Sequence, residues 1–347
     1  MPKKNVILSE VEMTNVTYLL GAGASRNALP IVSEFKERID ECIKVIEEDE
    51  FMLTNEDKYF EKYIKREVQE EFITNLRWLS AECDRHASID TFAKKLFLTR
   101  RNDDLDKLKY TLHTYLLFEQ AISQPDSRYD SFFASIIQSK INELPENIRI
   151  ISWNYDIQLE MTYKNIAQLD NYDNIQDMLN IISKYVYRIR DLKKFSIFKL
   201  NGTTSIFDER KVNRFIYVPN IPNKIGIKLI DSLLYYYSAL IHQSTFHTRL
   251  SFAWDEDDSG DSSIIEKATE GTKDSEVMVV IGYSFPFFNR EIDRKIIGSM
   301  GKLKKVYFQS PDAEDLIERF HSIREDLPPD KLIPKFKVNQ FYLPNEL

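Results

Sequence analysis

Short apolar runs recur along the chain. Each is followed by small or polar residues and then by a stretch with helical spacing. The first run is Val-Thr-Tyr-Leu-Leu at 16–20, followed by Gly21, Ala22, Gly23, Ala24 and Ser25. Further runs at 148–152, 197–200, 214–218, 277–281, 305–309 and 338–342 predict strands. Between them lie helical patterns, beginning at 31–48, where Phe35, Ile39, Cys42, Ile43 and Ile46 share one face. Residues from about 55 to 143 read as almost wholly helical, with apolar residues at i, i+3, i+4 spacing and no glycine. Their one loop signal is Ser123-Gln124-Pro125-Asp126-Ser127.

Strands alternating with helices predict an α/β fold, a Rossmann-like, mostly parallel sheet with helices on both faces. The helical block of about 51–144 is a large insertion into a core of 14–50 and 145–325. Residues 326–347 form a tail with an edge strand. The acidic segment from Asp255 to Ser263 is expected to be a solvated loop.

Composition narrows the reading. The 347 residues suit one large domain or two smaller ones, and 43 % apolar residues suffice for a core. The net charge of −8, with no long basic stripe, argues against nucleic acid as a direct ligand. Two cysteines, Cys42 and Cys83, fit a reducing compartment and cannot make a four-cysteine zinc site, so no metal is expected. The apolar stretch in the first twelve residues is too short for a signal peptide or a membrane span. The expectation is a cytoplasmic protein without membrane association. The chain has only 9 glycines, far below the usual share of about 7 per cent, so their placement at strand ends carries information.

Candidate chemistry gathers at those strand ends. Strand, Gly-rich turn and helix at 16–30 suit a pyrophosphate, because glycine admits close backbone approach and a helix N-terminus favours anions. The dinucleotide fingerprint G-x-G-x-x-G is incomplete, since Arg26 stands where its third glycine would be. A tight turn without a ligand is the plain alternative. The second strand ends in Ser152-Trp153-Asn154-Tyr155-Asp156, where Asp156 alone could simply cap the next helix. The third ends in Asn201-Gly202, which could be no more than a hairpin turn. The fourth ends in Gly282 and Ser284, with Pro286 and Asn289 helping to start a helix, and the fifth in Ser310, with Pro311 beginning one. Five polar turns at predicted C-terminal strand ends imply one shared crevice.

The ordered set GAGAS, SWNYD, KLNG, IGYSF and YFQSPD resembles the sirtuin-like family of NAD-binding domains. Within it, the set is most similar to the zinc-less bacterial branch of antiphage defence systems. Gly21, Ala22, Gly23 and Ser25 match the family's opening motif, Asn154 and Asp156 its Asn-x-Asp element, and Gly282 and Ser284 its late Gly-x-Ser turn. SIDTFAKKL at 88–96 looks like that branch's helical insert; by spacing alone it is an amphipathic helix with Ser88 as N-cap. The resemblance covers roughly residues 14–325. It implies that Asn154 orients the ribose and attacking water, while Asp156 orients Asn154 or bonds ribose. It further implies that Gly21, Ala22, Gly23 and Ser25, assisted by Arg26, hold the pyrophosphate. Gly282, Ser284 and Ser310 would bound the adenosine end.

Two departures stand out. The zinc cysteines of the protein deacetylases are missing, which disfavours a deacylase. The family's catalytic histidine falls at Asn201, whose amide takes up no proton near neutral pH. Two functions therefore compete. One is an NAD hydrolase acting as a defence effector in abortive infection, as a homo-oligomer or with a partner. The resemblance implies, for that partner, a hexameric translocase-type ATPase, a short Argonaute or a sensor module. The other is a subunit that senses NAD or ADP-ribose without cleaving it. Among the five histidines (His86, His113, His242, His247, His321) none forms a metal spacing. His242 and His247, five apart, would face different sides of a helix. His86 is the nearest candidate for a substitute base. The run Tyr235-Tyr236-Tyr237 with Phe246 reads as core or subunit interface.

Overall fold

The computed structural model describes residues 13–48, 65–138, 140–141, 143–169, 172–184, 190–208, 215–216, 227–255 and 263–347. The strands are β1 (Val16–Leu20), β2 (Ile148–Ser152), β3 (Ile181–Ser183), β4 (Ser196–Lys199), β5 (Gly202–Asp208), β6 (Phe215–Ile216), β7 (Phe246–Leu250), β8 (Val277–Ile281), β9 (Lys305–Gln309) and β10 (Leu332–Lys335). Seven of them form one parallel sheet in the order β10-β9-β8-β1-β2-β4-β3. From β1 the chain steps to β2 on one side and returns later to β8 on the other. The C-terminal end of β1 is therefore the topological switch point, where open α/β sheets form a crevice.

Burial on both faces explains the continuous apolar runs. Val16, Tyr18 and Leu20 of β1 join one hydrophobic cluster with Ile148, Ile150, Val277 and Val279. Leu19 faces the other way, with Ile151, Met278, Val280 and Phe308. This period-2 split fits a parallel sheet covered on both sides by helices. The first cluster runs on without a break into the helical insertion, through Phe72, Leu76, Leu108 and Phe133.

The helices are α1 (Phe35–Glu48), α2 (Lys65–Arg85), α3 (Ile89–Leu98), α4 (Asn102–Ile122), α5 (Ser127–Ile136), α6 (Gln158–Ala167), α7 (Tyr172–Met178), α8 (Ile227–His242), α9 (Ile264–Thr272), α10 (Arg290–Gly298) and α11 (Ala313–His321). Among the described residues no helix is long and apolar enough to cross a membrane. Ser88 caps α3 as expected, its hydroxyl accepting from Thr91 N at 3.1 Å. The insertion breaks in more places than its sequence signals. One break falls at 99–101, where Arg100 takes φ +56° without a glycine to mark it. Tyr237 is core, packing on Phe72 at 4.5 Å between ring centroids.

Several sequence expectations are corrected. The predicted strand at 338–342 is irregular, and the edge strand is β10, a few residues earlier. Phe341 is buried against Tyr129 and Phe132, while the Gln309 side chain donates to the carbonyls of Lys337 and Gln340 and accepts from Tyr342 N. Beyond β10, which is held by its ladder to β9, the chain is thus tied down by a side chain. Asn201-Gly202 is not a hairpin. β4 belongs to the parallel sheet and β5 to a separate antiparallel sheet of order β6-β5-β7, so the chain changes sheets there. The expected helix at 31–48 starts at Phe35 after a 3-10 turn at Val32–Glu34. α11 starts at Ala313, two residues beyond Pro311. His247 lies in β7, not on a helix with His242. Of the predicted strand at 214–218 only Phe215–Ile216 is described, and of the acidic loop 256–262 lies outside the described residues, as does 49–64 of the insertion.

Gly282 has φ +61°, and a Cβ there would lie 2.4 Å from the backbone of Gly23. We expect Gly282→Ala to lower stability by at least about 2 kcal/mol. Gly298, at the end of α10, has open space around it, so Gly298→Ala is expected to be neutral or stabilising by about 0.5 kcal/mol. Equilibrium denaturation of the two variants tests the contrast.

Candidate functional site

The turns after β1 and β8 cross in backbone contact. Gly21 N donates to Ile281 O and Gly23 N to Gly282 O, both at 3.0 Å. A Cβ on Gly21 would fall 2.6 Å from Gly282 O, and one on Gly23 2.7 Å from Gly282 Cα. These glycines are required for main chain to pass main chain. Their two amides are engaged inside the protein, which changes the pyrophosphate expectation drawn from them. Residues Ala22–Ser25 form a single 3-10 turn rather than the start of a long helix, so the expected helix dipole is reduced to one turn.

Below this crossing lies a buried polar cluster. The Ser25 hydroxyl donates to Asp156 Oδ2 at 2.7 Å. Ser25 Oγ in turn accepts from Asn154 Nδ2 at 3.3 Å and lies 3.0 Å from the Tyr129 hydroxyl. Asp156 Oδ1 accepts from Gln158 N at 3.1 Å, a local turn contact one residue ahead of Ile157, the N-cap of α6. Lys199, fully buried, donates to Asp156 O at 2.7 Å and pairs with buried Glu160 at 3.1 Å. The turn carrying Asn154 and Asp156 is therefore fixed from three sides. Buried Arg128 holds the first turn, donating to the carbonyls of Gly23 and Ala24 at 3.1 Å while paired with Asp126.

Asn201 is built into the backbone. Its Nδ2 donates to Trp153 O at 2.9 Å and its Oδ1 accepts from Ala253 N at 3.0 Å. The amide ties the end of β4 to the exit of β2 and to the segment after β7. In that geometry Asn201 positions the strand ends, at the place where the resemblance puts the family's catalytic histidine.

A cavity of about 520 Å³ opens above these groups. Its floor is the C-terminal ends of β1, β2, β4 and β8, through Gly21, Ala22, Ser25, Asn154, Asp156, Asn201, Gly282 and Ser284. Its roof is the insertion, through Cys83 and the stretch from Ala87 to Thr91. Four of the five expected strand ends thus share one crevice. Three expected residues do not line it. Gly23 is packed beneath Gly282. Arg26 is exposed and pairs with Glu34 at 3.4 Å. Ser310, after β9, accepts from Asp312 N.

The cavity also contains residues that the sequence reading gave no role in the site. Trp153, Tyr155, Phe35 and Tyr283 supply aromatic walls. Asp90, from the first turn of α3, receives the Tyr155 hydroxyl, and desolvation holds its carboxyl above the ordinary value. Asp90 keeps some accessible surface although protein encloses it, as befits a group on a cavity wall. By spacing the SIDTF segment reads as a capped helix, and by resemblance as a helical insert, but neither places Asp90 in the same cavity as Asn154. Burial pushes the Cys83 thiol up to about 12, so it stays protonated. His86 is not in the lining; its Nδ1 sits 3.1 Å from Glu82 O. Burial pushes His113 down to about 3, so it is neutral. Among the described residues no group of His, Cys, Asp or Glu could hold a metal ion.

Behind the wall, Tyr283 stacks on Trp153 at 5.6 Å and donates to Asp293 Oδ2 at 2.9 Å. Burial raises the Asp293 carboxyl to about 8. No protein-family model matches the chain, and no curated protein matches it in sequence.

A carboxyl raised to about 8 in the folded protein, against 3.8 unfolded, favours folding below pH 4 and loses that contribution as pH rises toward 8. Asp293→Asn is therefore expected to gain stability relative to the parent between pH 5 and pH 8, with the gain growing over that interval. Chemical denaturation of both proteins at the two pH values measures it.

Proposed function

We propose that the protein hydrolyses the nicotinamide–ribose bond of NAD, releasing nicotinamide and ADP-ribose. Its role would be that of a cytoplasmic effector of bacterial antiphage defence, acting as a homo-oligomer or with a separate partner. The observation carrying this reading is the cavity at the switch point of the sheet, with Asn154 and Asp156 locked to Ser25 on its floor. The ordered resemblance to sirtuin-like domains supplies the chemistry.

In that reaction the C1′–N bond breaks with its electron pair passing to the ring nitrogen. The ribose carbon becomes oxocarbenium-like, and water adds to C1′ and gives up a proton. Fixed dipoles and carboxylates near the developing positive charge lower the barrier. The Asn154 amide, held by Ser25, would orient the ribose and the incoming water. The carboxylate of Asp156 would fix that arrangement, and aromatic walls exclude bulk water.

A sensing subunit is the second reading, favoured by the state of Asn201. The position offers no proton acceptor, and both ends of its amide are engaged by backbone.

Asn154→Ala is expected to cut nicotinamide release by about a hundredfold or more while costing about 1 kcal/mol of stability. Chromatographic separation of ADP-ribose and nicotinamide reads the first, and denaturation the second. Undiminished turnover in this variant overturns the role of Asn154. A parent that binds NAD without cleaving it, beside an active Asn201→His variant, identifies Asn201 as the block.

A further inference from the structure

The cavity lining holds two carboxylates, Asp90 and Asp156, and among the described residues no lysine, arginine or histidine. A crevice built only to grip phosphates would carry the opposite charge. The two acids differ in how they are engaged. Asp156 is turned into the floor, with Ser25 bonded to one oxygen and Gln158 N to the other. Asp90 hangs from the insertion, anchored through Oδ1 to the Tyr155 hydroxyl, next in sequence to Asn154. Aromatic faces of Trp153 and Phe35 line the same space. An anionic group beside aromatic rings in a desolvated pocket is the chemistry that recognises a cationic, flat, apolar group.

We infer that Asp90 is a specificity-determining residue, whose carboxylate faces the positively charged pyridinium ring of oxidised NAD and discriminates against the uncharged ring of NADH. The inference rests on the dinucleotide reading. The insertion would then be part of the binding site as well as its cover. Burial alone disfavours the charged form of Asp90, while a cation beside it favours that form and is attracted more strongly because water is excluded. The negative phosphates would lie toward the Ala22 and Ser284 rim, away from Asp90.

The test is equilibrium binding of NAD, NADH and ADP-ribose, in an Asn154→Ala background so that NAD is not consumed. With Asp90 present, NAD should bind at least about tenfold more tightly than NADH. Asp90→Asn keeps the acceptor for Tyr155 and removes the charge; it should bring the ratio near one by weakening NAD while sparing NADH. Asp90→Glu keeps the charge and should keep the preference. An unchanged ratio in Asp90→Asn, or equal binding of both dinucleotides with Asp90 present, overturns the inference and leaves the dinucleotide reading standing. Binding of none of the three ligands overturns both. Should Asp90→Asn fail to fold, competition by 1-methylnicotinamide against neutral nicotinamide decides, with equal competition overturning the inference.

Discussion

Two turns far apart in the chain cross in direct backbone contact, Gly21 to Gly23 over Gly282. Two main chains meet with no side chain between them, and two amide hydrogen bonds close the contact. β1 and β8 are neighbours in the sheet, so their C-terminal turns must pass within van der Waals distance or splay apart. Splaying would open the floor on which Ser25 and Ser284 stand. In a chain so sparing of glycine, Gly21, Gly23 and Gly282 stand where backbone must touch backbone. This also changes what the Gly-Ala-Gly motif means here. Its first duty is packing, and of its residues Gly21, Ala22 and Ser25 also line the cavity.

From that crossing the site is assembled by parts remote in sequence. β1 supplies Ser25, β2 supplies Asn154 and Asp156, β4 supplies Asn201, and the insertion supplies Asp90. Each is fixed by a partner on another element: Tyr129 on α5 for Ser25, Lys199 on β4 for the Asp156 main chain, Tyr155 for Asp90. Buried polar groups in such a network are costly when a partner is lost, so the cluster specifies one arrangement of the four strand ends. Lys199 and Glu160 are an example, a fully buried ion pair under the Asn154 turn whose loss on one side would leave a bare charge.

The sheet was legible in the sequence because strands buried on both faces are written as continuous apolar runs. Val16–Leu20, Ile148–Ser152, Val277–Ile281 and Lys305–Gln309 were all located by that signal. β3, three residues long, and the antiparallel strands β5 and β7 were not, since polar Thr203, Thr204, Ser205 and Arg249 interrupt them. The tail misled, because an apolar cluster ending in Phe341 looks the same whether it enters a sheet or plugs a gap against Phe132. In the site, residues at strand ends could be named from turn chemistry. Asp90 could not, because its place depends on how a helix of the insertion folds over the sheet, and no local pattern encodes that. Asn201 was found at the cavity, but its bonds to Trp153 O and Ala253 N were not, since spacing says nothing of where an amide's two ends point.

The strain in the cavity wall has an identifiable origin. Phe285 takes φ +50°, a left-handed conformation that disfavours an aromatic residue, and it directly precedes Pro286, which further restricts it. Such a conformation costs on the order of 1–3 kcal/mol and persists only where its surroundings over-determine it. Here they do. The Phe285 ring is buried, in edge contact with Tyr283 at 5.0 Å and Phe320 at 5.7 Å, and tilted on Phe308 at 6.4 Å. Burial of an aromatic ring of this size is worth about 2–3 kcal/mol, enough to offset the backbone cost. The ring anchors the turn from below while its neighbours Ser284 and Pro286 line the cavity and Phe287 stands 83 % exposed. A turn held by a buried ring on one side and a backbone crossing on the other has little freedom to relax. The wall this turn forms is therefore as firmly set as the floor.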